Sequence, residues 1–283
     1  MIRGPMSKSF RRSYLCAKAA PIPCLMLFLL FPQILAGAEN VDACAPAEVK
    51  LYLALANASE RSYDDSRAGL EETPSGCVAL VEEDADGNLV IAFRGSMHRD
   101  RTPEHRFSNL GGANIRRTYR DWVATNLKQT AGFLPRQYVE AAAVVEKHVR
   151  GHPVDRLVYV TGHSKGGGAA TYAYVAALVS QDVSKKQARR LRCVTFNAAV
   201  VKEQNWRRLF RRLEGDAAKA EREVASASVC ALVMADDPVS KIAAPEERRY
   251  VKRIKITPTT DMTPNEQHGI RAVIGELEDR VVR

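Results

Sequence analysis

The chain has 283 residues, 46% of them hydrophobic, and a formal charge of +9 at neutral pH. Five of its 42 basic residues, Arg3, Lys8, Arg11, Arg12 and Lys18, lie in the first twenty positions, which contain no acid. With that leader set aside the excess of nine falls to four, too little to argue for nucleic-acid binding.

The leader continues into an apolar run, 22–35, and the small residues Ala36-Gly37-Ala38 before Glu39. A basic start, a short apolar stretch and a small-residue junction are the marks of a cleavable signal peptide over 1–38, so the protein is expected to be exported, periplasmic or secreted. The apolar run is about 14 residues long and broken by Pro32, short for a membrane span, with an uncleaved anchor as the alternative. Phe10-Arg11-Arg12-Ser13-Tyr14-Leu15 also resembles a twin-arginine signal, the bacterial route for folded cargo.

Residues 39–283 then form a single domain large enough for a full core. Periodicity predicts a helix over 46–59 and a hairpin of strands 77–82 and 89–93 around Asp86-Gly87-Asn88. Helices follow at 119–128 and 136–150, then a strand at 156–161 and a helix running to 180. The rest reads as strand 192–196, helical segment 204–227, strand 228–235 and strand 250–256. Strands alternating with helices imply an α/β fold, a mostly parallel sheet with helices on both faces. No internal repeat, low-complexity stretch or linker divides it.

The cysteines left after the leader are Cys44, Cys77, Cys193 and Cys230. In an oxidising compartment they allow three pairings, of which Cys193–Cys230 with Cys44–Cys77 is favoured, because Cys193 and Cys230 sit in strands flanking one helical insertion. No spacing suggests a metal site or a cofactor: there is no C-x-x-C, no H-E-x-x-H and no calcium loop.

The strongest chemical signal is Arg156-Leu-Val-Tyr-Val-Thr161 running into Gly162-His163-Ser164-Lys165-Gly166-Gly167-Gly168 and out through an alanine-rich helix. A strand, a tight turn and a helix around G-x-S-x-G form a nucleophile elbow, which lifts a serine hydroxyl clear of a sheet. Ser164 is therefore the candidate nucleophile. The bland alternative is a glycine-rich connection whose serine caps the helix.

In α/β-hydrolases the acid and then the histidine follow the serine in the chain. Only His268 follows Ser164, in Thr263-Pro-Asn-Glu-Gln-His-Gly269, and it is the candidate general base. The strand 228–235 ends in Asp236-Asp237-Pro238, where Pro238 holds Asp237 out of helical geometry. Asp237 is the favoured acid and Asp236 the alternative.

These motifs and their order resemble the class 3 lipases over about 78–268. Val90-Ile-Ala-Phe-Arg94-Gly95-Ser96 resembles their strand ending in F-R-G-[ST], Asp121-Trp122 their D-W helix, and Asp237-Pro238-Val239 their D-x-V acid segment. The resemblance implies an α/β-hydrolase fold and an oxyanion hole formed by Ser96 and the backbone N–H of Lys165. It also implies an Arg94–Asp121 ion pair that supports the hole. The chain departs from the family at Lys165, where leucine is usual, and at Thr195-Phe196-Asn197-Ala198, where T-F-G and a proline are common. GHSKGG is similar instead to a related bacterial branch of lipase-like hydrolases.

Two segments bear on access. Residues 97–118, with His98, His105 and several arginines, form a long connection after Ser96, either a lid or a surface insertion. Trp206, Leu209, Phe210 and Leu213 make a helical stripe flanked by Arg207, Arg208, Arg211 and Arg212. Such a helix either meets an anionic membrane surface or packs its stripe on the sheet. The expectation is an exported serine hydrolase acting on a lipid ester through Ser164, Asp237 and His268, the alternatives being a small-ester esterase and a lipase-like module without turnover.

Overall fold

The computed structural model describes residues 39–96, 134–212, 229–241 and 251–282. The leader 1–38, the segment 97–118, the helix expected at 119–128 with Asp121, and the end of the 204–227 segment lie outside them.

Among the described residues the strands form one eight-stranded sheet in the order β1-β8-β7-β6-β5-β4-β3-β2. The strands are β1 (Glu39–Asn40), β2 (Leu70–Glu72), β3 (Val78–Glu83), β4 (Leu89–Phe93), β5 (Val158–His163), β6 (Leu191–Phe196), β7 (Val229–Met234) and β8 (Val251–Ile256). From β4 to β8 and on to β1 every pairing is parallel; β3 alone runs against its neighbours. The predicted hairpin is present, with Gly87 at φ 73 in its turn and Glu83 opposite Leu89.

Strands β4 to β8 stand side by side in chain order, so right-handed crossovers place their connecting helices on one face. Helices α2 (Arg136–Gly151), α3 (Lys165–Val179) and α5 (Glu203–Arg212) pack there with Ile91, Phe93, Val160, Cys193 and Ala231. The opposite face is covered by the first and last helices, α1 (Pro46–Arg61) and α8 (Ile270–Val282), over Val90, Val194, Phe196, Leu232 and Ile254. The alternation along each strand between the two cores is the period of two expected of a sheet buried on both sides. Two one-turn helices, α4 (Lys185–Ala188) and α6 (Pro238–Lys241), the short α7 (Pro264–His268) and a 3-10 turn at Val41–Ala43 complete the described elements. This is the α/β-hydrolase architecture. None of these helices is long and apolar enough to cross a membrane.

The side chains that begin α1 explain its start. Pro46 occupies its first turn, and the Glu48 carboxylate accepts the Ala45 N–H at 3.0 Å. At the far end of α2 the buried Arg190 takes the place of a cap. Its Nη2 donates to the carbonyls of Val149 (2.7 Å) and His152 (3.0 Å), and its Nη1 to those of Pro153 and Arg156. Arg190→Met should cost about 3 kcal/mol of stability, because several buried carbonyls lose a charged donor at the negative end of a helix. Urea unfolding of the purified domain measures this; a change below about 0.5 kcal/mol would show that water replaces the guanidinium.

One expectation needs correction. The four cysteines are thiols, and the favoured pairing is split across the sheet. Cys193 sits opposite Val229 and points into the core under α3, whereas Cys230, opposite Val194, points to the α1 face. Cys77 and Cys44 are divided in the same way. Flanking one insertion brings two strands together but leaves their register parity open, and here the parity is wrong for a bond. Burial pushes the Cys193 thiol up, and the Cys230 thiol up to about 11. Of the two readings of the α5 stripe, packing on the sheet is the one observed: Trp206, Leu209 and Phe210 are buried, with Trp206 stacked on Tyr172, and Arg207, Arg208 and Arg211 remain outside. Apolar insertion of this stripe into a membrane is thereby removed; Leu213 lies outside the described residues.

Candidate active site

At the end of β5 the chain turns sharply into α3, and Ser164 takes φ 55, ψ −126, a conformation that side-chain-bearing residues rarely adopt. The turn is held by Ser164 N–H donating to the Phe196 carbonyl at 3.1 Å and by the Ser164 carbonyl accepting from Ala199 (2.9 Å) and Gly168 (3.2 Å). The flanking glycines are steric requirements. A Cβ on Gly162 would lie 2.6 Å from the Gly166 backbone, and one on Gly166 would lie 2.1 Å from the Phe93 carbonyl oxygen. The elbow therefore sits directly against the end of β4.

His268 is delivered by α7. Thr263 and Glu266 cap that turn reciprocally, the Glu266 carboxylate accepting the Thr263 N–H at 2.8 Å, and Pro264 fits its first position. His268 Nε2 lies 3.0 Å from Ser164 Oγ, and its Nδ1 lies 2.6 Å from Asp237 Oδ1. The acid is fully buried, the histidine side chain 11% exposed, and the serine half-buried. A ring that donates from Nδ1 to a carboxylate leaves Nε2 as the acceptor for the serine hydroxyl.

Of the two neighbouring acids, Asp237 meets the histidine. Asp236 is exposed, and its backbone N–H donates to Gln267 Oε1 at 2.8 Å. Burial by itself raises the Asp237 carboxyl. Hydrogen bonds from His268 and from Ser240, whose N–H lies 2.7 Å from Oδ2, outweigh it and hold the group below its usual range. These bonds favour the Asp237 carboxylate as the anion.

Ser96 follows Gly95, whose added Cβ would lie 3.4 Å from Ser164 Cβ, so the F-R-G-S segment passes beside the nucleophile. Lys165 is the first residue of α3, and N–H groups in a helix's first turn have no partner within the helix. Both expected oxyanion residues thus flank Ser164. Arg94 bonds the Ser62 carbonyl and pairs with Asp65 at 2.6 Å. Its expected partner Asp121 lies outside the described residues.

Sequence reasoning missed three residues around the histidine. His163 and Asn197 were seen only as part of a motif and a departure from one, and Tyr63 carried no local signal at all. His163 and Asn197 both hydrogen-bond the His268 carbonyl, and Tyr63 supports His163.

A parallel sheet with a strained serine elbow, a histidine and a buried aspartate at its carboxyl edge defines a lipase-type α/β-hydrolase. The model of the Tle-like phospholipase domain matches residues 59–248, more than half of the chain, and the protein belongs to that family. No curated protein sequence matches it. Among solved structures, the chain is similar to lipase II from Rhizopus niveus, with 17% identity over 73% of this chain and 78% of that one and a TM-score of 0.40. It is also similar to the triacylglyceride lipase of Rhizomucor miehei, with 16% identity, 69% and 73% coverage and a TM-score of 0.35. As a member of the Tle-like phospholipase family, the protein is a lipase- or phospholipase-like hydrolase.

Proposed function

We propose that the protein is an exported serine esterase that cleaves acyl esters of lipids, with phospholipids as the first class to test. The observation that carries the reading is the single imidazole bridging Ser164 Oγ and the buried Asp237 carboxylate. His268 takes the hydroxyl proton as Oγ attacks the ester carbonyl, and Asp237 stabilises the imidazolium that forms. Ser96 and the Lys165 N–H are proposed to receive the developing oxyanion, each donor contributing about 3 kcal/mol. His268 then protonates the leaving alcohol, and water activated by the same ring releases the fatty acid from the acyl-enzyme. Family membership supports the phospholipid as substrate; the basic leader over 1–38 supports export.

The test is direct. A fluorophosphonate probe should label the wild-type protein on the peptide containing Ser164, and a panel of phospholipid, triglyceride and short-chain esters should show turnover with the phospholipid favoured. Active protein that escapes labelling would sink the serine mechanism. Turnover confined to soluble short-chain esters would leave the mechanism and replace the substrate class. An amino terminus at Glu39 in protein recovered from the extracytoplasmic fraction checks the leader.

Arg207, Arg208 and Arg211 project from α5 after its apolar side is buried. Any attraction to anionic lipid through them is electrostatic, screened over about 8 to 10 Å at 0.1 to 0.15 M salt. Replacing the three with glutamine should lower hydrolysis of anionic vesicles severalfold and spare a soluble ester. Equal rates on anionic vesicles before and after replacement would make this face a solvated flank.

A further inference from the structure

We propose that Asn197 is a positioning residue that locks the turn carrying His268 to the strand carrying the acid, and that His163 completes the lock on the same carbonyl. The inference rests on the reading of Ser164, His268 and Asp237 as a catalytic triad.

Asn197 follows β6 with φ 43, a left-handed conformation tolerated by glycine and, among side-chain-bearing residues, best by asparagine and aspartate. The backbone alone would accept glycine there. The amide adds what glycine lacks, and it is fully buried. Its Oδ1 accepts the Met234 N–H at 3.0 Å, at the end of β7 and three residues before Asp237. Its Nδ2 donates to the carbonyls of Gln267 (2.7 Å) and His268 (3.2 Å). One rigid planar group thus spans the acid-bearing and base-bearing segments, while its own N–H donates to the Leu232 carbonyl at 2.9 Å.

The His268 carbonyl has a second donor. His163 Nε2 lies 2.6 Å from it, which fixes the proton on that nitrogen and leaves Nδ1 as an acceptor. Tyr63 Oη lies 3.2 Å from Nδ1 and donates to it, while accepting the Gly95 N–H at 3.0 Å. The relay therefore runs from the residue before Ser96, through the residue before Ser164, to the backbone of the histidine itself. Every bond is buried or half-buried, and the donor and acceptor roles are mutually consistent. A ring held only by its tip contacts to Ser164 and Asp237 would be free to tilt; fixing its main chain from two sides restricts the imidazole to the geometry in which both contacts persist. Displacements of about 1 Å in such a site cost roughly a hundredfold in rate.

The experiment compares wild-type protein with Asn197→Gly, which keeps the backbone conformation and deletes the clamp, and Asn197→Asp, which keeps the shape and removes both N–H donors. Kinetics on a soluble ester, corrected by fluorophosphonate titration for the folded active fraction, should show kcat lowered about a hundredfold in both variants with KM within about twofold. The low-field NMR resonance of the His268 Nδ1 proton, read without any substrate, should broaden or shift. Wild-type kcat in a folded Asn197→Gly protein, or an unchanged low-field resonance in either variant, would overturn the proposal. Failure of the wild-type protein itself to hydrolyse esters or to label would instead overturn the triad reading, and the NMR comparison would still decide the clamp.

Discussion

Asp237→Asn is expected to lower turnover on the order of 10⁴-fold while the protein stays folded. The amide can present its N–H to His268 Nδ1, which moves the imidazole proton to Nε2 and leaves no acceptor for the Ser164 hydroxyl. KM should change little, because Asp237 is fully buried behind the ring. Asp236→Asn should cost far less, since that side chain is exposed. A dead Asp236→Asn beside an active Asp237→Asn would move the acid by one residue. The same substitution has a signature in stability. The carboxyl is held below its usual value, so its ionic contribution is fully present above the unfolded pKa, about 3.9, and is lost as pH falls through the lower folded value. The stability difference between wild type and Asp237→Asn should therefore narrow as urea titrations move from pH 6 to below about pH 4. A constant difference across that range would contradict the depressed carboxyl.

Ser164→Ala should abolish fluorophosphonate labelling and reduce ester hydrolysis at least about a thousandfold, because it deletes the attacking oxygen and little else. Folding is expected to survive, but the positive φ at this position is strained for alanine as for serine. Thermal unfolding should accordingly stay within a few degrees of wild type. Full activity in this variant would end the serine mechanism.

Much of the fold was legible because its signals are local. Buried strands β5 to β7 are near-continuous apolar runs, α8 carries its stripe at Ile270, Val273, Ile274 and Leu277, and the Asp86-Gly87-Asn88 turn is readable as such. Strands β1 and β2 were missed. Glu39–Asn40 and Leu70–Glu72 are too short and too polar to show a period, and only pairing with β8 and β3 makes them strands. The cysteine pairing failed for a different reason: which face a strand residue takes depends on register, and register is a tertiary property. At the site, chain order brought Ser164 and His268 into consideration, and a proline singled out Asp237 from its neighbour. Asn197 stood out only as an anomaly. Its left-handed backbone and its partners at residues 234, 267 and 268 come from three separate elements, and no window of sequence contains them.

The ends of the described chain are also tied together. Arg280 near the end of α8 pairs with Asp42 at 2.6 Å and donates to the Thr257 carbonyl, while α8 packs along α1. Such proximity makes the domain a candidate for circular permutation. A short bridge across that junction, with new ends opened at the exposed Gln181-Asp182 turn, would leave every contact among Ser164, Asp237 and His268 in place while putting the serine last in the chain. The linear order of the three groups would then be seen as a record of how the gene is written, with the chemistry indifferent to where translation begins.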